Sequence, residues 1–182
     1  GSPSIAVLED GTYVASHDYF GNGRVSDTFV YRSIDKGATW NVCAHIDRLN
    51  WATLFTRGRE LYLIGVSPKG SQGYGNFVIL RSMNGGRSWT TPKDRNSGLL
   101  LEGFYHCAPV PVIFHKASVR VLVHGSCHTC VDAFRPVTIA AEYGRAFCPA
   151  VNDHPVPGIA AFMADHTGCD TGQAANAAAP VN

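Results

Sequence analysis

An all-β chain of repeated four-stranded units is the fold class the sequence predicts, and three observations predict it. The octapeptides "SIDKGATW" (33–40) and "SMNGGRSW" (82–89) share Ser first, Gly fifth and Trp last, and stand 49 residues apart. Short runs rich in β-branched and aromatic residues recur around both. Gly, Asp and Asn punctuate those runs. Self-similarity at a period of roughly 20–50 residues marks a repeat architecture.

In the first unit the runs fall near residues 4–8, 12–16, 28–32 and 39–45. In the second they fall near 52–56, 61–66, 76–81 and 88–91. Sliding the chain by 49 sets Tyr13 on Tyr62, Val14 on Leu63 and Val30-Tyr31-Arg32-Ser33 on Ile79-Leu80-Arg81-Ser82, with no gap. Asp35 then falls on Asn84, Gly37 on Gly86 and Trp40 on Trp89. Four strands at this period are the layout of a β-propeller blade. Blades are expected at about 1–49 and 50–98, with the start of a third before residue 115.

The octapeptide reads as the hairpin between the third and fourth strands. Its Asp35 or Asn84 can accept backbone N–H bonds and close the turn. Gly37 and Gly86 allow positive φ where the chain reverses. Ser33 and Ser82 open the turn, and Trp40 and Trp89 offer a large apolar face to a neighbouring sheet. A calcium site is the competing reading, but Asn84 replaces the acid in the second copy and no further acids cluster nearby.

The pattern S-x-[DN]-x-G-x-[ST]-W resembles the Asp-box, or BNR repeat, of sialidase-like β-propellers. The stretches "SPSIAVLEDGTYVASHDYFG", "TFVYRSIDKGATW" and "YHCAPVPVIF" are similar to bacterial members of that superfamily over roughly residues 1–115. The resemblance implies two to three four-stranded blades of a six-bladed parent, with Asp-boxes on the rim and an axial funnel holding a glycan. It implies exo-acting glycoside hydrolysis in the parent, an inactive fragment here, and an extracellular or periplasmic setting. A non-catalytic module that binds carbohydrate or protein is the alternative. In the parent family an Arg begins the first blade and grips a sugar carboxylate; Gly1 stands in its place. The acid that the family supplies from an early loop matches Asp18 best, with Asp27 second. The family's Tyr–Glu pair has no counterpart to place.

Taken as residues, His17-Asp18-Tyr19 follow a strand and precede a Gly-rich loop whose Arg24 is a candidate substrate-binding residue. Asp18 with His17 could protonate a glycosidic oxygen, but hydrolysis needs a second carboxylate across the bond. Trp51, ahead of the second blade's inner strand, and Tyr105-His106, ahead of "APVPVIF", would face the funnel; interblade packing and a satisfied buried His are the plainer alternatives. Cys43 and Cys107 read as small buried hydrophobes.

Net charge is +1 and there is no run of 18 apolar residues, so neither a nucleic-acid partner nor membrane insertion is expected. No signal peptide is visible, and no cofactor is expected. Open sheet edges would invite self-association. Beyond Lys116 the text changes. "HGSCHTC" brings His124, Cys127, His128 and Cys130 together, but Cys148 and Cys169 are 21 apart, which is a poor second half for zinc. Disulfides or free thiols are the alternatives, and no metal is expected. "AAEYGRAF" (140–147) is a decayed third octapeptide or a coincidence. Residues 116–150 are the remainder of a third blade or a stretch translated out of frame, and 151–182 are a low-complexity, irregular tail expected to be disordered.

Overall fold

The computed structural model describes residues 1–21, 24–70, 73–107, 111–115, 118–127, 130–140 and 150–152. Every element among them is a β-strand. The strands β1 (Ser4–Val7), β2 (Tyr13–Gly21), β3 (Arg24–Ser33) and β4 (Asn41–Asp47) form an antiparallel meander in chain order. A second meander follows: β5 (Asn50–Arg57), β6 (Glu60–Pro68), β7 (Gly75–Ser82) and β8 (Leu99–His106). The strands β9 (Ile113–His115), β10 (Ser118–Cys127), β11 (Cys130–Ala140) and β12 (Ala150–Asn152) pair antiparallel in the same sequence. Two residue pairs, His106 with His124 and Tyr105 with Gly125, join β8 to β10, so the last two runs make one eight-stranded sheet. The fold is a partial β-propeller.

Two clusters hold the sheets together. Ala6, Val14 and Val30 of the first sheet meet Leu49, Ala52, Leu54, Leu61, Leu63, Val78 and Leu80. On the far face of the second sheet, Phe55, Tyr62, Ile64, Val66, Phe77, Ile79 and Leu100 meet Cys107, Val119 and Val121. Each fully buried Val, Leu, Ile or Phe contributes about 1.5–3 kcal/mol of transfer free energy. The second sheet is thus apolar on both faces, as the run "LYLIGV" requires.

The register corrects the gap-free alignment. Tyr13 pairs with Ser33, whereas Leu61 pairs with Ser82. The third strands keep the 49-residue offset, but Tyr13 stands on Leu61 and Val14 on Tyr62, one residue short of it. The cause is a pair of compensating hairpins. Five residues separate the pair Val7–Tyr13 and four separate Thr56–Leu61, whereas 19 separate Tyr13–Ser33 and 20 separate Leu61–Ser82. A one-residue slip reverses every side chain, and burial follows the corrected register. Val14 and Tyr62 each face the next sheet along the chain.

A strand at 88–91 does not form. Thr90 N bonds Arg81 O, but the chain then leaves the ladder at Pro92, which has no N–H to donate, and turns on Asp94 and Ser97. It returns through Gly98, whose φ is +118° and whose O accepts from Ile79 N at 2.8 Å. A Cβ at Gly98 would stand 2.1 Å from Ile79 O, so glycine is required there. The fourth strand is β8, and the second unit runs past residue 98 to His106. Of the inner strand expected from "APVPVIF", residues 108–110 lie outside the described ones, and Ile113 and Phe114 fall in β9. The 140–147 stretch falls in the link between β11 and β12, where the octapeptides fall in the first two units; its residues 141–147 lie outside the described ones, as does the tail beyond Asn152.

Candidate functional site

Both octapeptides adopt one turn. Ser33 Oγ accepts from Gly37 N at 2.8 Å and donates to Asp35 Oδ1 at 2.6 Å; Ser82, Gly86 and Asn84 repeat this at 2.9 and 3.0 Å. Asp35 also accepts from Thr39 N and Thr39 Oγ1, which hold its carboxyl down at about 2, the Ser33 bond being the largest cause. Asn84 makes the matching pair of bonds with Ser88, using its amide as acceptor and donor. Gly37 and Gly86 have φ of +93° and +90°. Each Trp Nε1 donates to the Gly carbonyl three residues back. Trp89 packs against the core between the first two sheets. Trp40 lies over its own Gly37 and is 38 % exposed, so its expected packing on a neighbouring sheet is not realised among the described residues. These turns fill the acceptor sites of Asp35 and Asn84 with protein donors, and no group of three acidic, His or Cys side chains able to hold a metal occurs among the described residues.

The other end of the strands is different. There β2 turns into β3, and the chain crosses from β4 into β5. Asp18 is 1 % exposed and faces the second sheet. Its Oδ2 accepts from Trp51 N at 2.6 Å, and its Oδ1 lies 3.1 Å from Thr28 Oγ1, which also donates to Leu49 O at 2.7 Å. Burial pushes the Asp18 carboxyl above its ordinary value, while the bonds from Trp51 and Thr28 pull the other way. The segment so held is unusual. Arg48 and Trp51 have φ of +56° and +50°, and the β5–β6 register slips between Asn50 and Thr53. Left-handed backbone at a non-glycine residue costs about 1–3 kcal/mol and persists only where its surroundings enforce it.

The bulge presents Trp51 to two other rings. Its centroid lies 4.0 Å from that of His106, at 58°, and 5.8 Å from that of Tyr74, at 66°. Tyr74 and His106 are 5.8 Å apart. All three are half-buried. The structure therefore brings Trp51 and His106 together, with His106 at the end of β8 of the second unit. Tyr105 and Trp51 both pack on the core that holds Phe77 and Val121, as the interblade-packing alternative expects. Tyr74 was missed. Its one sequence signal is its place in the turn "GSQGYG" between β6 and β7, the counterpart of the turn that follows Asp18.

His17 does not join Asp18. Neighbours on a strand point to opposite faces, and His17 lies on the outer face of the first sheet. There its Nε2 meets Tyr31 OH at 2.9 Å and its Nδ1 meets Asp18 O at 3.1 Å. A carbonyl only accepts, so Nδ1 carries the hydrogen and Nε2 accepts from Tyr31. The second candidate acid, Asp27, shares that outer face, 3.1 Å from His45 Nε2. His45 stacks on Phe29 at 4.7 Å. Arg24 begins β3, paired with Gly21. Cys43 is half-buried and Cys107 buried, and burial pushes the Cys107 thiol up to about 12 and raises that of Cys43, so neither is a poised nucleophile. Cys127 and Cys130 are backbone neighbours in the β10–β11 register, while His128, Cys148 and Cys169 lie outside the described residues.

Two grooves, of about 520 and 510 Å³, lie beside the sheets. One runs along β4 and the β4–β5 crossing, from Ala44 to Leu49, against Val78, Leu80 and Trp89; the other lies beside Arg32 and Arg59. Neither includes Asp18 or Trp51. The half-buried ring cluster lies at the strand ends, where His106 and Tyr74 carry its polar atoms.

No protein-family model and no curated protein matches the chain. Among solved structures it is similar to the Penicillium chrysogenum α-L-arabinanase complexed with arabinobiose, at 18 % identity and a TM-score of 0.53 over 86 % of this chain and 50 % of that one. It is similar to the GH93 α-L-arabinofuranosidase of Fusarium graminearum, complexed with arabinobiose, at 15 % and 0.54, over 75 % and 44 %. It is also similar to the Cellvibrio cellulosa α-L-arabinanase complexed with arabinohexaose, at 13 % and 0.54, over 82 % and 56 %. Such identities establish the shared fold. The chain spans about half the length of these structures.

Proposed function

We propose that the chain is the sugar-holding part of a glycoside-hydrolase-type β-propeller, and that it takes a glycan against Trp51, Tyr74 and His106. The convergence of these three rings at one end of the strands carries the proposal. Sugar C–H faces pack on aromatic rings, while the imidazole and the phenol can bond hydroxyls. The matched structures that hold arabinobiose and arabinohexaose make arabino-oligosaccharides the first ligand class to offer.

Exo-acting, sialidase-like hydrolysis with Asp18 as acid is the finer reading. In the resembled family it calls for a Tyr–Glu nucleophile opposite the acid, and in most other glycoside hydrolases for two carboxyl groups flanking the scissile bond at roughly 5–9.5 Å. Asp18 is buried with both oxygens engaged, and Asp27 is paired with His45 on the opposite face. These observations favour binding without cleavage by this chain. The test is to incubate it with fluorogenic arabinosides and sialosides, and to titrate it with arabinohexaose by calorimetry. Saturable binding without turnover is expected. Turnover on either substrate would restore Asp18 as the acid, and absence of binding would remove the platform.

A further inference from the structure

We propose that Asp18 is a positioning residue, a clamp that holds the backbone of Trp51 in its left-handed conformation so that the indole stands in the ring cluster. This rests on the reading of Trp51 as a sugar platform. The corrected register supplies the first argument. Asp18 pairs with Thr28 where the second sheet pairs Val66 with Phe77, both fully buried. A polar pair has thus replaced an apolar one at a single step of the repeat. Both polar side chains are spent on the entry to β5, Thr28 on Leu49 O and Asp18 on Trp51 N.

Hydrogen accounting supplies the second argument. The Thr28 hydroxyl has one hydrogen, and its 2.7 Å bond to Leu49 O is the shorter of its two contacts. What Asp18 must then provide is an acceptor toward Trp51 and, toward Thr28, a group that a hydroxyl oxygen can face. Neither task requires a negative charge. An asparagine meets both, its Oδ1 taking the Trp51 N–H and its Nδ2 donating to Thr28 Oγ1. Asn50 Nδ2, bonded to Gly73 O at 3.2 Å, ties the same bulge to the turn that carries Tyr74. The clamp and the ring cluster are therefore one construction.

The experiment uses the full chain labelled with 5-fluorotryptophan, whose three indoles give separate 19F resonances. Asp18→Asn should leave the Trp51 resonance and its solvent-induced shift unchanged. Asp18→Val, which installs the residue of the second sheet, should move that resonance and raise its solvent exposure. The Val variant should bind arabinohexaose about tenfold more weakly, the equivalent of about 1.4 kcal/mol, which lies within the cost of holding a non-glycine residue in left-handed backbone. An unmoved Trp51 resonance in Asp18→Val, or an Asp18→Asn variant as disturbed as Asp18→Val, overturns the clamp. Should Asp18→Val fail to fold, amide hydrogen exchange of Trp51 in the unsubstituted chain decides: a protected amide is expected, and exchange as fast as in an exposed loop overturns it. Both readouts need no glycan. A moved indole in a chain that never binds arabinohexaose would leave the clamp standing and sink the platform reading alone.

Discussion

Asp18 shows how far a single residue could be read from the sequence. Its singularity was visible: an acid at the end of a strand, before a Gly-rich turn. Its direction was not, because only the pairing of β2 with β3 decides that Asp18 faces inward and His17 outward. Adjacent letters suggested a pair that alternation in a strand forbids. The buried carboxyl also makes a pH prediction. Its folded pKa lies above the ordinary 3.8, so the native state is favoured below that value and loses stability as pH rises through the raised one. Asp18→Asn should therefore melt at or above the temperature of the unsubstituted chain at pH 7, with the gap closing below pH 3.8 in thermal scans. Asp35 has the opposite sign. Held at about 2, it contributes stability that is fully present above 3.8 and is lost as pH falls from there through about 2. Asn84 already performs the same task, so Asp35→Asn should leave the melting temperature at pH 7 within a degree or two, while Asp35→Ala lowers it.

At the scale of elements, the octapeptides were the most legible part of the chain. Their bonds are local, each made within four residues, and local chemistry is what a sequence displays. The strand register was less legible, since a one-residue difference between two hairpins leaves the motif spacing intact and reverses a strand. The position of β8 was hidden for a similar reason: Pro92 and the Asp94–Ser97 turn delay a strand that the octapeptide alone would start at once. The two tryptophans, identical in motif, differ in surroundings. Trp89 packs between sheets and Trp40 does not. Trp89→Ala should cost about 2–4 kcal/mol, in the range of large-to-small core changes. Trp40→Ala should cost about 1 kcal/mol or less, as for an exposed site. Urea denaturation measures both, and equal losses would mean that the Trp40 face is covered in solution.

At the scale of the whole molecule, the outer face of the first sheet is apolar and uncovered among the described residues. Ile5, Val7 and Val42 are more than half exposed on the first sheet, beside Trp40. Leu54, the residue equivalent to Ile5, is buried against the first sheet. A face of this kind associates, and light scattering should show concentration-dependent oligomers that the double change Ile5→Glu with Val42→Glu abolishes without lowering the melting temperature. The propeller class was readable from period and motif. The ring cluster was readable only in part, because Tyr74 reaches Trp51 and His106 through the pairing of β5, β6, β7 and β8, which no local pattern records. The most direct test of the account is a titration of the chain with arabinohexaose followed by the Trp51 19F resonance. The account predicts a saturable shift confined to Trp51 among the three indoles, with affinity lost in Trp51→Ala by calorimetry. A silent Trp51, or binding that survives its removal, would contradict it.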